Sequence, residues 1–194
     1  MSLSVVILAA GKGTRMFSEQ PKVLHKLADQ PMLQYVIDIA NELNPKNTNV
    51  IVGYKAKEVK HALSCEKVNW ILQEKQLGTG DAVKYAIPNL TGEQTLILYG
   101  DVPLVKINEL KKLIKIGEKG LSILTFNKIN PTGYGRIVRG RTGVEAIVEE
   151  KDCSDAQKEI TEINTGIMVA DTKYLINWLS LISNINSQKE YYLT

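Results

Sequence analysis

Ser4-Val5-Val6-Ile7-Leu8-Ala9-Ala10-Gly11-Lys12-Gly13-Thr14-Arg15-Met16 decides how the chain is read. The apolar run over residues 5–10 is too short for a helix and stops at a glycine. A short run of this kind beside a Gly-rich turn predicts a strand buried on both faces. Gly11-Lys12-Gly13-Thr14-Arg15 follows at once. Glycines let the backbone approach a bulky anion, and successive N–H groups in such a turn form an anion-binding concavity. Lys12, Arg15 and Lys22 add positive charge around the same space. A buried strand that delivers a basic, glycine-rich loop to a sheet edge is built to hold phosphate. The competing reading is a tight strand-to-helix turn. Two common phosphate motifs are not matched: the dinucleotide fingerprint needs a glycine where Met16 stands, and the P-loop needs one at Val6.

Outward from this stretch, strands and helices alternate. Apolar positions 32, 33, 36, 37, 40 and 43 recur at helical spacing behind Pro31, which suits a helix start. Further strands are expected at 49–52, 68–72, 95–99 and 121–126, with helices at 55–64, 78–87 and 108–116. The alternation predicts an α/β fold: a Rossmann-like, mostly parallel sheet with helices on both faces. Ligands then sit outside the carboxyl ends of the strands, so the loops after Ala10, Leu72 and Tyr99 should share one mouth. Past residue 127 the rhythm changes. Residues 134–138 and 144–148, joined by Arg139-Gly140-Arg141-Thr142-Gly143, predict a β-hairpin. A strand at 165–169 and an amphipathic helix at 174–182 follow. Trp70 and Trp178 read as core residues, His25 and His61 as ordinary surface or helix residues.

A length of 194 residues suits one domain. Its net charge of +3 is mild, and the basic residues are spread along the chain, which argues against nucleic acid as the main ligand and favours small anions. Cys65 and Cys153 lie far apart and in no metal-ligand spacing, which predicts two free thiols in a reducing, cytoplasmic setting. No run approaches the ~20 apolar residues of a membrane helix, and the first residues lack the charged start of a signal peptide. Residues 183–194 are polar and stop without a closing element, so the sequence reads as a piece of a longer chain.

Three groups of residues carry candidate chemistry. Asp101 ends the run Leu96-Ile97-Leu98-Tyr99-Gly100 and precedes Val102-Pro103-Leu104. A carboxylate just past a central strand suits Mg²⁺, which takes one or two carboxylates plus phosphate oxygens and water; it also suits a helix N-cap. Gln73-Glu74-Lys75-Gln76-Leu77-Gly78-Thr79-Gly80 follows the third long strand. Gln73 can donate and accept toward a pyrimidine edge, and Gly78 permits close backbone approach. The alternative is a Gly-rich turn with Thr79 capping a helix. Pro131-Thr132-Gly133-Tyr134-Gly135-Arg136, Glu149 and Asn164-Thr165-Gly166 are, by composition, turns and strand edges.

Taken together, Leu8-Ala9-Ala10-Gly11-x-Gly13-Thr14-Arg15-Met16 with Pro21-Lys22 resembles the signature of the sugar-1-phosphate nucleotidyltransferases, whose fold is the nucleotide-diphospho-sugar transferase type. The resemblance covers essentially the whole chain. It is nearest to the uridylyltransferase part of bacterial bifunctional enzymes that act on N-acetylglucosamine 1-phosphate. It implies UTP and N-acetylglucosamine 1-phosphate as substrates, UDP-N-acetylglucosamine and pyrophosphate as products, and use of the product in peptidoglycan and lipopolysaccharide synthesis. Arg15 and Lys22 would neutralise phosphate charge, and Asp101 would hold Mg²⁺. Leu8, Ala9, Ala10, Gly11, Gln73, Gly78, Thr79, Tyr99 and Gly100 would line the nucleotide. Gly135, Glu149 and Asn164 would hold the sugar; Glu150, one residue on, competes with Glu149. Residues 1–127 would then form a nucleotide-binding half and 128–194 a sugar-binding half. Family members run on to a second metal ligand, an asparagine, and to a β-helix that acetylates glucosamine 1-phosphate and forms trimers; the present sequence carries neither. Three other readings stand: a relative using dTTP or CTP, a nucleotide-binding module without turnover, and a Rossmann dehydrogenase, which Met16 disfavours.

Overall fold

The computed structural model describes residues 1–64 and 66–194, the side chains of Arg15 and Lys119 apart. β1 (Leu3–Ala9) is buried along its whole length, as a run apolar at every position but Ser4 requires. After the loop come a two-stranded β2 (Lys26–Leu27) and β3 (Gln30–Pro31), then α1 (Met32–Asn41), β4 (Asn47–Val52), α2 (Ala56–Ala62) and β5 (Asn69–Leu72). α3 (Thr79–Ala86), β6 (Gln94–Tyr99), α4 (Ile107–Ile116) and β7 (Leu121–Asn127) complete the alternating part. β8 (Arg136–Arg139), β9 (Val144–Val148), α5 (Asp155–Lys158), β10 (Glu162–Asp171) and α6 (Thr172–Leu181) follow.

β5, β4, β1 and β6 pair in parallel, in that order. Successive residues of β1 point to opposite faces. Val5 and Ile7 join Leu33, Ile37, Val59 and Leu110 on the face covered by α1, α2 and α4. Val6 and Leu8 join Val83, Leu175 and Leu179 on the face covered by α3 and α6. Each fully buried Val, Leu or Ile contributes roughly 1.5–3 kcal/mol relative to exposure. Two complete layers of such residues fix β1 at the centre.

The sheet differs from the sequence reading at β7. A continuous parallel sheet through residue 127 would set β7 beside β6. Instead β10 lies between them, antiparallel to both. β7 still runs in the same sense as β6, as a helical crossover demands, but the gap is filled by a strand from far along the chain. β10 is also longer than expected. Its first half pairs with β8 through Ile163 and Arg136, its second half with β6, and β7 runs beside both halves. Between the halves the register shifts at residues 164–168, where Gly166 has φ +81°. This bulge re-aims the strand. Asn164 Oδ1 accepts from the Gly166 amide at 2.9 Å and holds the kink.

The hairpin of β8 and β9 forms as expected. Trp70 is half-buried and packs on the first core layer. Trp178 does not: it is 38% exposed and stacks on Tyr174, ring centroids 5.8 Å apart. α6 turns Leu175 and Leu179 inward, which leaves position 178 on its flank. His61 is exposed on α2, whereas His25 is half-buried, its Nε2 enclosed without a partner among the described residues. Cys153 is a free, buried thiol whose pKa is pushed up by burial; Cys65 lies outside the described residues. Among the described residues no helix is long and apolar enough to cross a membrane.

Candidate active site

The loops after β1, β5 and β6 do open into one mouth. A cavity of about 380 Å³ there is lined by Leu8, Ala9, Ala10, Gly11, Lys22, Gln73, Gly78, Thr79, Tyr99 and Asp101, with Gln76 and Glu190 among its other walls. The parallel register explains the convergence: Leu8 lies level with Tyr99 of β6 on one side and, on the other, with Ile51 of β4, itself level with Ile71 of β5. The three strands end together, and their loops must share the space beyond. Gly11 has open space where a side chain would stand. Gly13, at φ +65°, lies so close to Lys22 that a Cβ would come within 2.6 Å of the lysine Cβ. The second glycine of the loop therefore brings Lys22 to the mouth. Gly100 is not among the residues lining this cavity; a Cβ there would press on Leu33, Ala9 and Val23, and its amide donates to the Leu8 carbonyl. The backbone of Arg15 lies in a single 3₁₀ turn, Thr14–Met16, and its side chain is outside the description.

Lys22 Nζ stands 2.5 Å from Asp101 Oδ2. The next helix, α4, begins only at Ile107 with Lys106 as its N-cap, so Asp101 is not an N-cap; its carboxylate faces the cavity and the lysine. Gln73 is 2% exposed. Its Nε2 donates to Asp81 Oδ2 at 2.7 Å, which turns the amide's donor end toward α3 and leaves Oε1 as the acceptor end. Thr79 caps nothing either. The N-cap is Gly78, and the Thr79 hydroxyl accepts from the Leu193 amide at 3.1 Å. Burial, with Glu149 and Asp101 nearby, pushes the Tyr99 phenol well above its ordinary pKa.

A second cavity, of about 310 Å³, holds Gly135, Glu149 and Asn164 together, although they stand on three separate stretches of chain. Thr79, Tyr99 and Glu190 line both cavities and form their common wall. Tyr99 reaches the second cavity because Gly166 lacks a side chain: a Cβ there would lie 2.4 Å from the Tyr99 ring. Glu149 faces this cavity, its Oε1 accepting from the Thr194 hydroxyl at 2.9 Å, while Glu150 turns away to Arg136. Geometry thus separates the two adjacent glutamates. Among the described residues no group of three or more His, Cys, Asp or Glu stands close enough to hold a metal ion alone.

Sequence reasoning missed the end of the chain. Residues 188, 190, 192 and 194 line the second cavity. The Tyr191 amide donates to the Leu77 carbonyl, and the Gly80 amide to the Tyr191 carbonyl, both at 2.8 Å. The close approach that Gly78 permits is made by this backbone, since a Cβ on Gly78 would lie 2.5 Å from the Tyr191 oxygen. The signal was present: Tyr191, Tyr192 and Leu193 are large side chains inside an otherwise polar stretch. Leu193 packs on the second core layer.

This architecture is shared with known proteins. The chain is 52% identical over its whole length to the bifunctional protein GlmU of Pseudomonas paraeruginosa, and equally to that of Pseudomonas aeruginosa. It spans 43% of the length of these relatives. A crystal structure of a UDP-glucose pyrophosphorylase complexed with UDP-glucose superposes with a TM-score of 0.79 at 17% identity, over 100% of this chain and 84% of that one. A putative glucose-1-phosphate thymidylyltransferase from Bacillus anthracis superposes with a TM-score of 0.78 at 17% identity, over 97% of this chain and 78% of that one. At such identities the two structures establish the fold alone. The family model of the MobA-like NTP transferase domain matches residues 5–142, from the middle of β1 to the turn of the β8–β9 hairpin, and so the chain belongs to the MobA-like NTP transferase family.

Proposed function

We propose that the chain transfers UMP from UTP to N-acetylglucosamine 1-phosphate, releasing pyrophosphate and forming UDP-N-acetylglucosamine. The observation that carries this reading is the pair of cavities meeting at Tyr99 and Thr79, one under the Gly11 loop and one between Gly135, Glu149 and Asn164. Residues 1–127 serve the nucleotide and residues 128–194 the sugar. Leu8, Ala9, Ala10 and Gly11 wrap the nucleotide; Lys22, with Arg15, carries its phosphate charge. Gln73 favours uracil for a physical reason. With Nε2 held by Asp81, Oε1 accepts from the N3–H of uracil or thymine, whereas cytosine presents an acceptor at that position. Glu149 and the Asn164 amide supply an acceptor and a mixed donor–acceptor to the sugar hydroxyls and acetamido group.

The site suits Mg²⁺. Asp101 offers a hard oxygen donor, and its present partner is already a cation, the Lys22 ammonium. One carboxylate, completed by substrate phosphates and water, is an ordinary magnesium donor set. When bound, Mg²⁺ supplies charge neutralisation between two anionic substrates. The chain's own residues position the reaction. The sugar phosphate oxygen forms a bond to the α-phosphorus while the α–β anhydride bond breaks and pyrophosphate leaves. Positioning and charge screening suffice, so no covalent enzyme intermediate is required. Mixing the protein with UTP, N-acetylglucosamine 1-phosphate and Mg²⁺ should release pyrophosphate and form the UDP-sugar. Calorimetry should rank UTP above CTP, ATP and GTP. Equal affinity for ATP, or pyrophosphate release indifferent to the sugar phosphate, would reject the assignment.

A further inference from the structure

Arg136 is the largest charged side chain in the interior, 1% exposed, at the start of β8 where that strand meets β9 and β10. It does not line either cavity. Nη1 pairs with Glu150 Oε2 at 2.7 Å and donates to the Tyr134 carbonyl, and Nη2 donates to the Lys158 carbonyl at 3.3 Å. Glu150 Oε2 in turn accepts from the Gly133 amide at 3.1 Å. The Arg136 hydrogen bond, then the Gly133 amide, hold the Glu150 carboxyl below its ordinary pKa. Two residues after Gly133, the Gly135 carbonyl accepts from the Asn164 amide at 2.8 Å. The segment 133–135 is thus tied at three consecutive residues. All three line the second cavity, and Gly135 lies against Glu149.

We propose that Arg136 and Glu150 are positioning residues: a buried clasp that holds the 133–135 segment, and through it Glu149, at the spacing the sugar requires. The argument is chemical. A guanidinium removed from water needs carboxylate or carbonyl partners, and its planar fork can serve several at fixed angles, which an ammonium cannot. Glu150 links that fork to the loop amide, so loop and hairpin move as one body. A sugar recognised by few contacts depends on such stiffness, because a loop free to shift must be ordered on binding. The clasp also explains why two glutamates stand side by side: Glu149 faces the ligand and Glu150 faces the arginine.

The inference rests on the proposed sugar-binding reading, and its test separates the two. Calorimetry compares UDP with UDP-N-acetylglucosamine on the wild type, Glu150→Ala and the conservative Glu150→Gln, with thermal melts alongside. The ratio of the two affinities isolates the sugar's share. Glu150→Ala should lower that ratio about tenfold, the loss of one good hydrogen bond's worth of fixation, while UDP affinity stays within about twofold; Glu150→Gln should recover most of the ratio. An unchanged ratio overturns the clasp. So does a loss of UDP affinity in step with the ratio, since Glu150 would then support the fold alone. If the wild type gains nothing from the sugar, the sugar-binding reading fails, and amide exchange decides the clasp independently. Exchange at Gly133 and Gly135 should then accelerate about tenfold in Glu150→Ala, and unaltered exchange overturns it.

Discussion

The two cavities lie side by side, yet they are built by opposite means. The first is assembled from three parallel strand ends, each followed directly by the residues that line it. Its walls, Glu190 excepted, are local: Gly11 follows β1, Gln73 follows β5 and Asp101 follows β6. The second is assembled by long-range pairing. Gly135 and Asn164 meet through strands β8 and β10, and Thr194 reaches back to Glu149 across the end of the chain. A cavity formed at strand ends inherits its geometry from the core, whereas one formed between a hairpin, a bulge and a terminal segment inherits it from a few hydrogen bonds. Substitutions in the first should therefore damage chemistry and spare the fold. Substitutions in the second should damage recognition, and at its joints the fold as well.

The largest expected effect tests the first half of that contrast. Asp101→Asn preserves size but removes the charge facing Lys22. Mg²⁺-dependent pyrophosphate release should fall by roughly 10²–10³, as for one preorganised electrostatic group lost. The melting temperature should hold, because the side chain stands beyond a strand end rather than in the core. A rate within about twofold of wild type would remove Asp101 from the reaction.

Next in size is the joint between the cavities. Gly166→Ala would place a methyl 2.4 Å from the Tyr99 ring at a residue with φ +81°. Backbone strain there costs about 1–3 kcal/mol. For a domain of this length the melting temperature should fall by about 2–4 °C for each kcal/mol. Since Tyr99 walls both cavities, UTP and the sugar phosphate should both bind less tightly. A melt unchanged from wild type would show that the bulge relaxes freely. Glu149→Gln is smaller and one-sided. It should raise the KM for the sugar phosphate about tenfold, the range of one charge-assisted hydrogen bond weakened, with UTP affinity intact. An equal loss for both substrates would contradict the division of labour.

The same contrast explains what could be read from sequence. β1, its glycine loop and the strand-ending Asp101 were legible because each is encoded within a few residues by periodicity and turn chemistry. Gln73, Gly78 and Thr79 do line the mouth, but what packs against them was not legible: Gly78 makes room for Tyr191, and the Thr79 hydroxyl accepts from the Leu193 amide. The insertion of β10 between β6 and β7 was hidden, because a strand's apolar pattern states that it is buried and not which neighbours it pairs with. Trp178 was misread for a related reason, since helical spacing fixes a buried stripe and leaves its flanks open. The tail's part in the second cavity depends on contacts with residues far back in the chain, such as Thr194 on Glu149 and the Leu193 amide on Thr79.

The smallest expected effect sharpens the comparison within the first cavity, by asking whether even a local wall depends on orientation. Gln73 is buried, and an amide can turn end for end at little cost unless its neighbours choose. Asp81 makes the choice: it can only accept, so it takes Nε2 and presents Oε1 as the free acceptor end. Asp81 lines neither cavity. In Asp81→Ala the amide loses that director, and the weaker contact to the Gly78 carbonyl, at 3.4 Å, is all that remains on Nε2. Either end can then face the base. UTP affinity should drop only two- to threefold, whereas preference for UTP over CTP should fall by about fivefold, close to 1 kcal/mol of discrimination. Paired calorimetric titrations with the two nucleotides read this directly. A lost preference with nearly preserved UTP binding identifies orientation as the source of base choice. An unchanged preference would place base choice in the shape of the cavity instead, and Gln73 would be a wall rather than a reader.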